Sequence, residues 1–205
     1  MLSDALIFLV DTVFGLFVVA LLLRFYLQWA RVPYRNPLSE FLQALTDFMV
    51  RPARRLIPGL WGLDLASFAL AWLLEFVEIL IVLLIRGYAM GPATGTAIAA
   101  AALMALVMLL KIGLYIVIVA VIAQVICSWF APSSPMMPLL NSMTRPFLRV
   151  FQRRIPPIGN FDLSPLILLV VIQLLLMLPP DVLASIIPLT SLTEKLPPEL
   201  YSFTL

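Results

Sequence analysis

Four long stretches of nearly uninterrupted apolar residues constrain this chain more than any other feature. They fall at residues 6–23, 65–85 and 97–130, and in "LSPLILLVVIQLLLML", which ends at Pro179–Pro180. A helix of about 20 apolar residues crosses a hydrocarbon core of about 30 Å, so each stretch reads as a transmembrane segment. Composition agrees: 63% of the residues are apolar, 12% are charged and the mean hydropathy is +1.10, against about 45–50% and about 25% in a soluble globular domain. The N-terminal stretch lacks the basic start of a secretory signal and carries Asp4 and Asp11 instead, which predicts a retained span. The 34 residues from Ala97 to Phe130 contain one charge, Lys111, and as a helix would measure about 51 Å. The expected span is therefore 107–129, with the Ala-rich "TAIAAAALMAL" as an outer lead-in.

Absences narrow the chemistry. The chain has no histidine and a single cysteine, Cys127, which excludes a disulfide framework and a Cys/His zinc site. It also lacks the commonest general acid or base, and no glycine-rich phosphate loop is present. No cofactor and no enzymatic activity are expected. A net charge of +2 gives no reason to expect nucleic acid as a partner.

Placement of the basic residues says more than their total. The connection after span one holds Arg31, Arg35, Arg51, Arg54 and Arg55, and the one after span three holds Arg145, Arg149, Arg153 and Arg154. The connection between spans two and three has only Arg86, and the C-terminal tail only Lys195. Lys and Arg in short loops mark the cytoplasmic side, so both Arg-rich connections are expected inside and both termini outside an inner membrane.

The two Arg-rich connections are also related to each other. Shifting residues 37–65 by 98 places Pro37 on Pro135, Thr46 on Thr144, Arg51 on Arg149, Arg55 on Arg153, Pro58 on Pro156 and Asp64 on Asp162. With two further residues of slippage, Trp29 falls on Trp129. Because each unit holds two spans, the second copy enters with the orientation of the first, and the repeats are parallel. The expected fold is an all-α integral membrane protein of four transmembrane helices from two parallel repeats, each helix–amphipathic interfacial helix–helix, about a pseudo-two-fold axis. Residues 1–88 form the first repeat, 97–180 the second, and 181–205 a short extracytoplasmic tail.

Within the first connection, Leu38, Phe41, Leu42, Leu45, Phe48 and Met49 make one stripe, with Glu40, Gln43, Thr46 and Asp47 opposite. That is the pattern of an in-plane interfacial helix, and Met136, Leu139, Leu140 and Met143 supply the equivalent stripe. The arginines behind these helices, Arg51, Arg54, Arg55, Arg149, Arg153 and Arg154, are expected to contact anionic headgroups or partner proteins, each worth about 1 kcal/mol near a charged surface. Asp64 and Asp162 stand where the next span needs an N-cap, and Ser164–Pro165 adds a further start signal.

The Trp at a span end (Trp29), the Asn36–Pro37 step, Thr46–Asp47, the run Arg51–Pro52–Ala53–Arg54–Arg55–Leu56–Ile57–Pro58 and the span start Asp64–Leu65–Ala66–Ser67 together resemble the YggT family of bacterial inner-membrane proteins. The likeness covers nearly the whole chain. The second copy departs from it at Val150, where the first has Pro52, and at Arg145, where an acidic residue is usual. The resemblance implies a four-span protein linked with osmotic-stress tolerance and potassium uptake in bacteria; chloroplast relatives are linked with cytochrome assembly and nucleoid distribution. No enzymatic activity comes with the family.

Charges inside spans are costly unless paired or hydrated, which makes Asp11, Glu75, Glu78 and Lys111, with Gln124 and Gln173, the intramembrane candidates. Arg24 lies five residues before Trp29 and is expected to snorkel to headgroups. Glu75 lies about 16 Å past Asp64 and could serve a cation path or hydrogen-bond to Gln124 or Gln173. Asp11 and Lys111 each lie 18 residues before a tryptophan, Trp29 and Trp129, so they could pair across the axis, with Glu78 as the rival partner of Lys111. The expected role is osmotic or ion homeostasis; the alternative is a membrane-anchored scaffold or assembly factor for other membrane proteins or cell-division machinery. Expected partners are an anionic bilayer, other membrane proteins or further copies of the chain.

Overall fold

Runs of Leu, Ile, Val, Phe and Ala without an internal proline make three long helices; one amphipathic helix lies between the first two and another follows the third. In a computed structural model, which describes residues 1–32, 36–57, 63–87, 94–153 and 163–177, the order is α1 (Leu2–Trp29), α2 (Pro37–Leu56), α3 (Leu65–Ile85), α4 (Thr94–Phe130), α5 (Met137–Gln152) and α6 (Ser164–Leu176). Among the described residues three helices are long and apolar enough to cross a membrane, α1, α3 and residues 97–130 of α4. The described part of α6 is a shorter apolar helix of 13 residues.

α1 packs along α3, α4 against both, and α6 against α4 and α5. Water is not what these surfaces are buried from inside a bilayer, so close van der Waals contact must hold them. Ala101 and Ala105, both at 0% exposure, let α4 approach Ile79 of α3. Trp72 adds a hydrogen bond from its indole Nε1 to the Ala102 carbonyl at 3.0 Å. The Ala-rich stretch is thus no separate lead-in: it continues α4 without a break, because its small side chains make the contact with α3. At 37 residues, α4 is about 56 Å long.

α2 and α5 lie at the same end of the bundle. Leu42 of α2 and Leu139 and Met143 of α5 join Tyr26, Leu27 and Val121 in one cluster. The Tyr26 hydroxyl donates to the Met143 carbonyl, and Trp29 lies 5.9 Å from Phe147, ring to ring. Each amphipathic helix therefore turns part of its apolar stripe inward onto the long helices. The remainder of the α2 stripe faces out, with Phe41 and Phe48 at 61% and 64% exposure.

Local signals start and stop these elements. Asn36 caps α2, its Oδ1 accepting from the Ser39 amide at 2.8 Å, and Pro37 fills the first turn, where no amide donor is needed. Gly87, at φ 78°, ends α3. α1 ends in the same left-handed geometry but with Arg31, at φ 52°; the Val32 amide reaches back to the Leu27 carbonyl and the Arg31 amide to Gln28, the bonding pattern of a Schellman cap. An arginine there carries a steric cost that glycine avoids. Arg31→Gly is predicted to raise unfolding stability in detergent by up to about 1 kcal/mol; a loss of stability would contradict this account of the α1 terminus.

Candidate functional site

Where α1, α2 and α3 meet, a guanidinium sits among carboxylates. The Arg24 side chain is 11% exposed and its Nη1 lies 2.7 Å from Asp47 Oδ1, while its Nε lies 3.4 Å from Asp64 Oδ2. Nη1 also donates to Thr46 Oγ1 at 2.8 Å, and that threonine donates in turn to the Leu42 carbonyl at 2.6 Å. Asp64, at 2% side-chain exposure, receives Arg54 as well, and the Ser67 hydroxyl donates to it at 2.8 Å. Arg51 closes the set on Asp47 at 2.8 Å. An open cavity of about 360 Å³ lies beside the knot, lined by Arg24, Gln28, Asp47, Arg51 and Arg54 with Leu27 and Leu42.

This arrangement corrects three expectations. Arg24 does not snorkel, because the docked α2 brings Asp47 and Thr46 to it. Asp64 does not cap α3 through its side chain; its oxygens are taken by Arg54, Arg24 and the Ser67 hydroxyl. Arg51 and Arg54 are engaged within the protein, whereas Arg55 is exposed. The hydrogen bond from Arg24 holds the Asp47 carboxyl below its ordinary range, with Arg51 assisting. Burial works against ionisation of Asp64, but hydrogen bonds from Arg54 and Ser67 and the charges of Arg54 and Arg24 more than offset it, so its carboxyl also lies low.

A second polar group lies farther along the same two helices. Asp11 stands on α1 and Glu75 and Glu78 on α3, the two helices that pack along each other. Glu75 is 8% exposed, and Asp11 Oδ1 and Glu78 Oε2 are buried without a hydrogen-bond partner. By helical rise Glu75 and Glu78 lie about 16 and about 21 Å from Asp64. Among the described residues none of the three carboxylates makes an ion pair. The expected Asp11–Lys111 pair does not form, since Asp11 faces α3. Nor does Lys111 meet Glu78: it is 9% exposed on α4 with no ion pair among the described residues. No cluster of metal-ligand type appears among the described residues.

The second half builds a neutral counterpart of the knot. The single Thr144 hydroxyl hydrogen is shared between Gln124 Oε1 at 2.5 Å and the Leu140 carbonyl at 2.9 Å, and Gln124 Nε2 donates to Asn141 at 2.8 Å. Gln124 is thus not available to Glu75. Gln173 is exposed on α6, which packs on α4 and α5, so it does not face Glu75 either. Arg149 and Arg153 are exposed; Arg154 and Asp162 lie outside the described residues. The threonines are what sequence reasoning passed over: Thr46 and Thr144, both at 0% exposure, anchor α2 and α5 in the same way, and their match under the 98-residue shift was the available signal.

The knot makes stability depend on acid. A carboxyl held below its unfolded value of 3.8 contributes fully above that value, and the contribution is lost as pH falls through the lower folded value. Acid unfolding in detergent, followed by tryptophan fluorescence, is predicted to lose this component in Asp64→Asn. Arg24→Gln is predicted to cost about 3 kcal/mol near neutral pH, the lower part of the range for breaking a buried pair, because Arg54 still neutralises Asp64. A cost below about 0.5 kcal/mol, the level of an ordinary surface change, would contradict the knot.

Comparison with known proteins follows the same two halves. A sequence profile described as CCB3/YggT matches residues 3–85 and again 103–183. An uncharacterized protein of Pseudomonas aeruginosa is 34% identical over 197 residues, covering 95% of this chain and 96% of that protein. The uncharacterized protein YggT of Escherichia coli K12 is 32% identical over 173 residues, covering 84% and 87%. A Vibrio alginolyticus protein is 29% identical over 184 residues, covering 89% and 97%. No solved structure gives a significant match. The chain belongs to the CCB3/YggT family.

Proposed function

We propose that the chain is a non-enzymatic protein of the bacterial inner membrane, built as four spans from two parallel repeats with both termini outside, that acts in osmotic-stress tolerance or potassium homeostasis. The carrying observation is the group Asp11, Glu75 and Glu78, carboxylates inside apolar helices that make no ion pair among the described residues. Such groups are costly in hydrocarbon, and a proton or a monovalent cation entering between α1 and α3 relieves that cost. Ion occupancy is thereby coupled to how these helices pack. Three or four spans leave little internal room, so a conducting path would lie between copies. The second reading, a membrane-anchored scaffold or assembly factor, is favoured by Arg24, which fixes α2 against α1 and α3 rather than leaving it free to move.

Potassium is predicted to raise the unfolding temperature of the purified protein relative to choline at equal ionic strength, and Glu75→Gln to abolish that shift. An equal shift in the variant would reject the cluster as the responsive site, and no shift in either protein would select the scaffold reading. A potassium-flux assay in liposomes separates transport from sensing. Topology is tested in a Cys127→Ala background with Gly95→Cys, where an added side chain meets open space, and with Ser134→Cys. An impermeant maleimide on spheroplasts is predicted to label the former and not the latter; the reverse pattern would overturn the orientation.

A further inference from the structure

The charge pattern of α5 departs from that of α2 in one direction. Under the 98-residue shift, Asp47 becomes Arg145 and Arg54 becomes Gln152, while with the two-residue slippage Arg24 becomes Gln124. Arg51 and Arg55 persist as Arg149 and Arg153. The second half therefore keeps the outer arginines and loses the groups that form the knot.

The result is a row of arginines at i, i+4 and i+8. Arg145, Arg149 and Arg153 are all exposed, on the side of α5 away from its buried Leu139, Leu140 and Met143. Among the described residues none of them makes an ion pair, and residues 79–161 contain no Asp or Glu. Like charges four residues apart disfavour a helix, and α5 carries two such pairs in succession. An anion lying along the row turns that repulsion into attraction.

The depth of α5 identifies the anion. α4 ends on Trp129 and Phe130, at 68% and 81% exposure, and α5 begins seven residues after Phe130, at Met137. Exposed aromatic residues at the end of an apolar span belong to the headgroup level of a bilayer. Val150, at 57% exposure, leaves apolar surface next to Arg149 for the adjoining acyl region. We propose that the Arg145–Arg149–Arg153 face of α5 binds the phosphates of anionic phospholipids, a task the first half has given up to its internal knot. The inference rests on the membrane placement proposed above and not on the potassium reading.

Tryptophan quenching by brominated lipids tests it with full-length protein reconstituted in nanodiscs, because Trp29 lies 5.9 Å from Phe147 of α5. The wild type is predicted to prefer brominated phosphatidylglycerol over brominated phosphatidylcholine. R145Q/R149Q/R153Q is predicted to lose tenfold or more of that preference, up to about a hundredfold if each arginine contributes about 1 kcal/mol. The triple variant should fold, since it removes like-charge pairs, and an unchanged unfolding temperature in phosphatidylcholine verifies this. R51Q/R55Q should keep most of the preference. Equal preference in wild type and triple variant overturns the proposal, as does an equal loss in R51Q/R55Q. Displacement of the lipid by inorganic phosphate beyond that by chloride would reassign the row to a soluble anion. No quenching by either lipid would instead reject the membrane placement.

Discussion

A buried guanidinium is the constraint from which the first half of this protein is organised. Arg24 stands on an apolar helix at 11% side-chain exposure, and a cation in that position is tolerated only if carboxylates come to it. They come from two other elements, Asp47 on α2 and Asp64 at the start of α3. The demand of one side chain thus fixes where the amphipathic helix docks and where the next span begins. Arg51, Arg54, Thr46 and Ser67 supply the remaining hydrogen bonds, so each charge is answered and the apolar packing of α1 on α3 proceeds without an unpaired ion at its base.

The second half docks its amphipathic helix without the charges. Thr144 and Gln124 hold α5 as Thr46 and Arg24 hold α2, and each threonine bonds the carbonyl four residues earlier. The shared frame is therefore the threonine anchor and the inward-facing leucines; the ions are an addition of the first half. Charge freed from the frame appears on the outside of α5.

Much of this was legible in the sequence, for identifiable reasons. Apolar runs and the punctuation between them, Asn36–Pro37 above all, marked where helices form because those signals act over a few residues. Arg24 was misread because snorkelling depends only on distance to the interface, whereas its actual partners lie 23 and 40 residues away in sequence. The 98-residue shift paired Thr46 with Thr144, which bond alike to the carbonyl four residues back, yet the equal 18-residue spacing of Asp11 and Lys111 from Trp29 and Trp129 suggested a pair that the packing denies. Equal depth does not decide which way a side chain faces, and Asp11 turns toward α3. α4 exceeded its expected span because that span was trimmed to the thickness of a bilayer, whereas the helix runs on through alanines that pack closely on α3.

The central claim is that Arg24 and Asp64 are coupled through space and not merely near each other. A double-mutant cycle of Arg24→Gln and Asp64→Asn, read by unfolding in nanodiscs, isolates that coupling. The account predicts an interaction of about 1–3 kcal/mol, with the double variant more stable than the sum of single losses allows. Additive losses would contradict it.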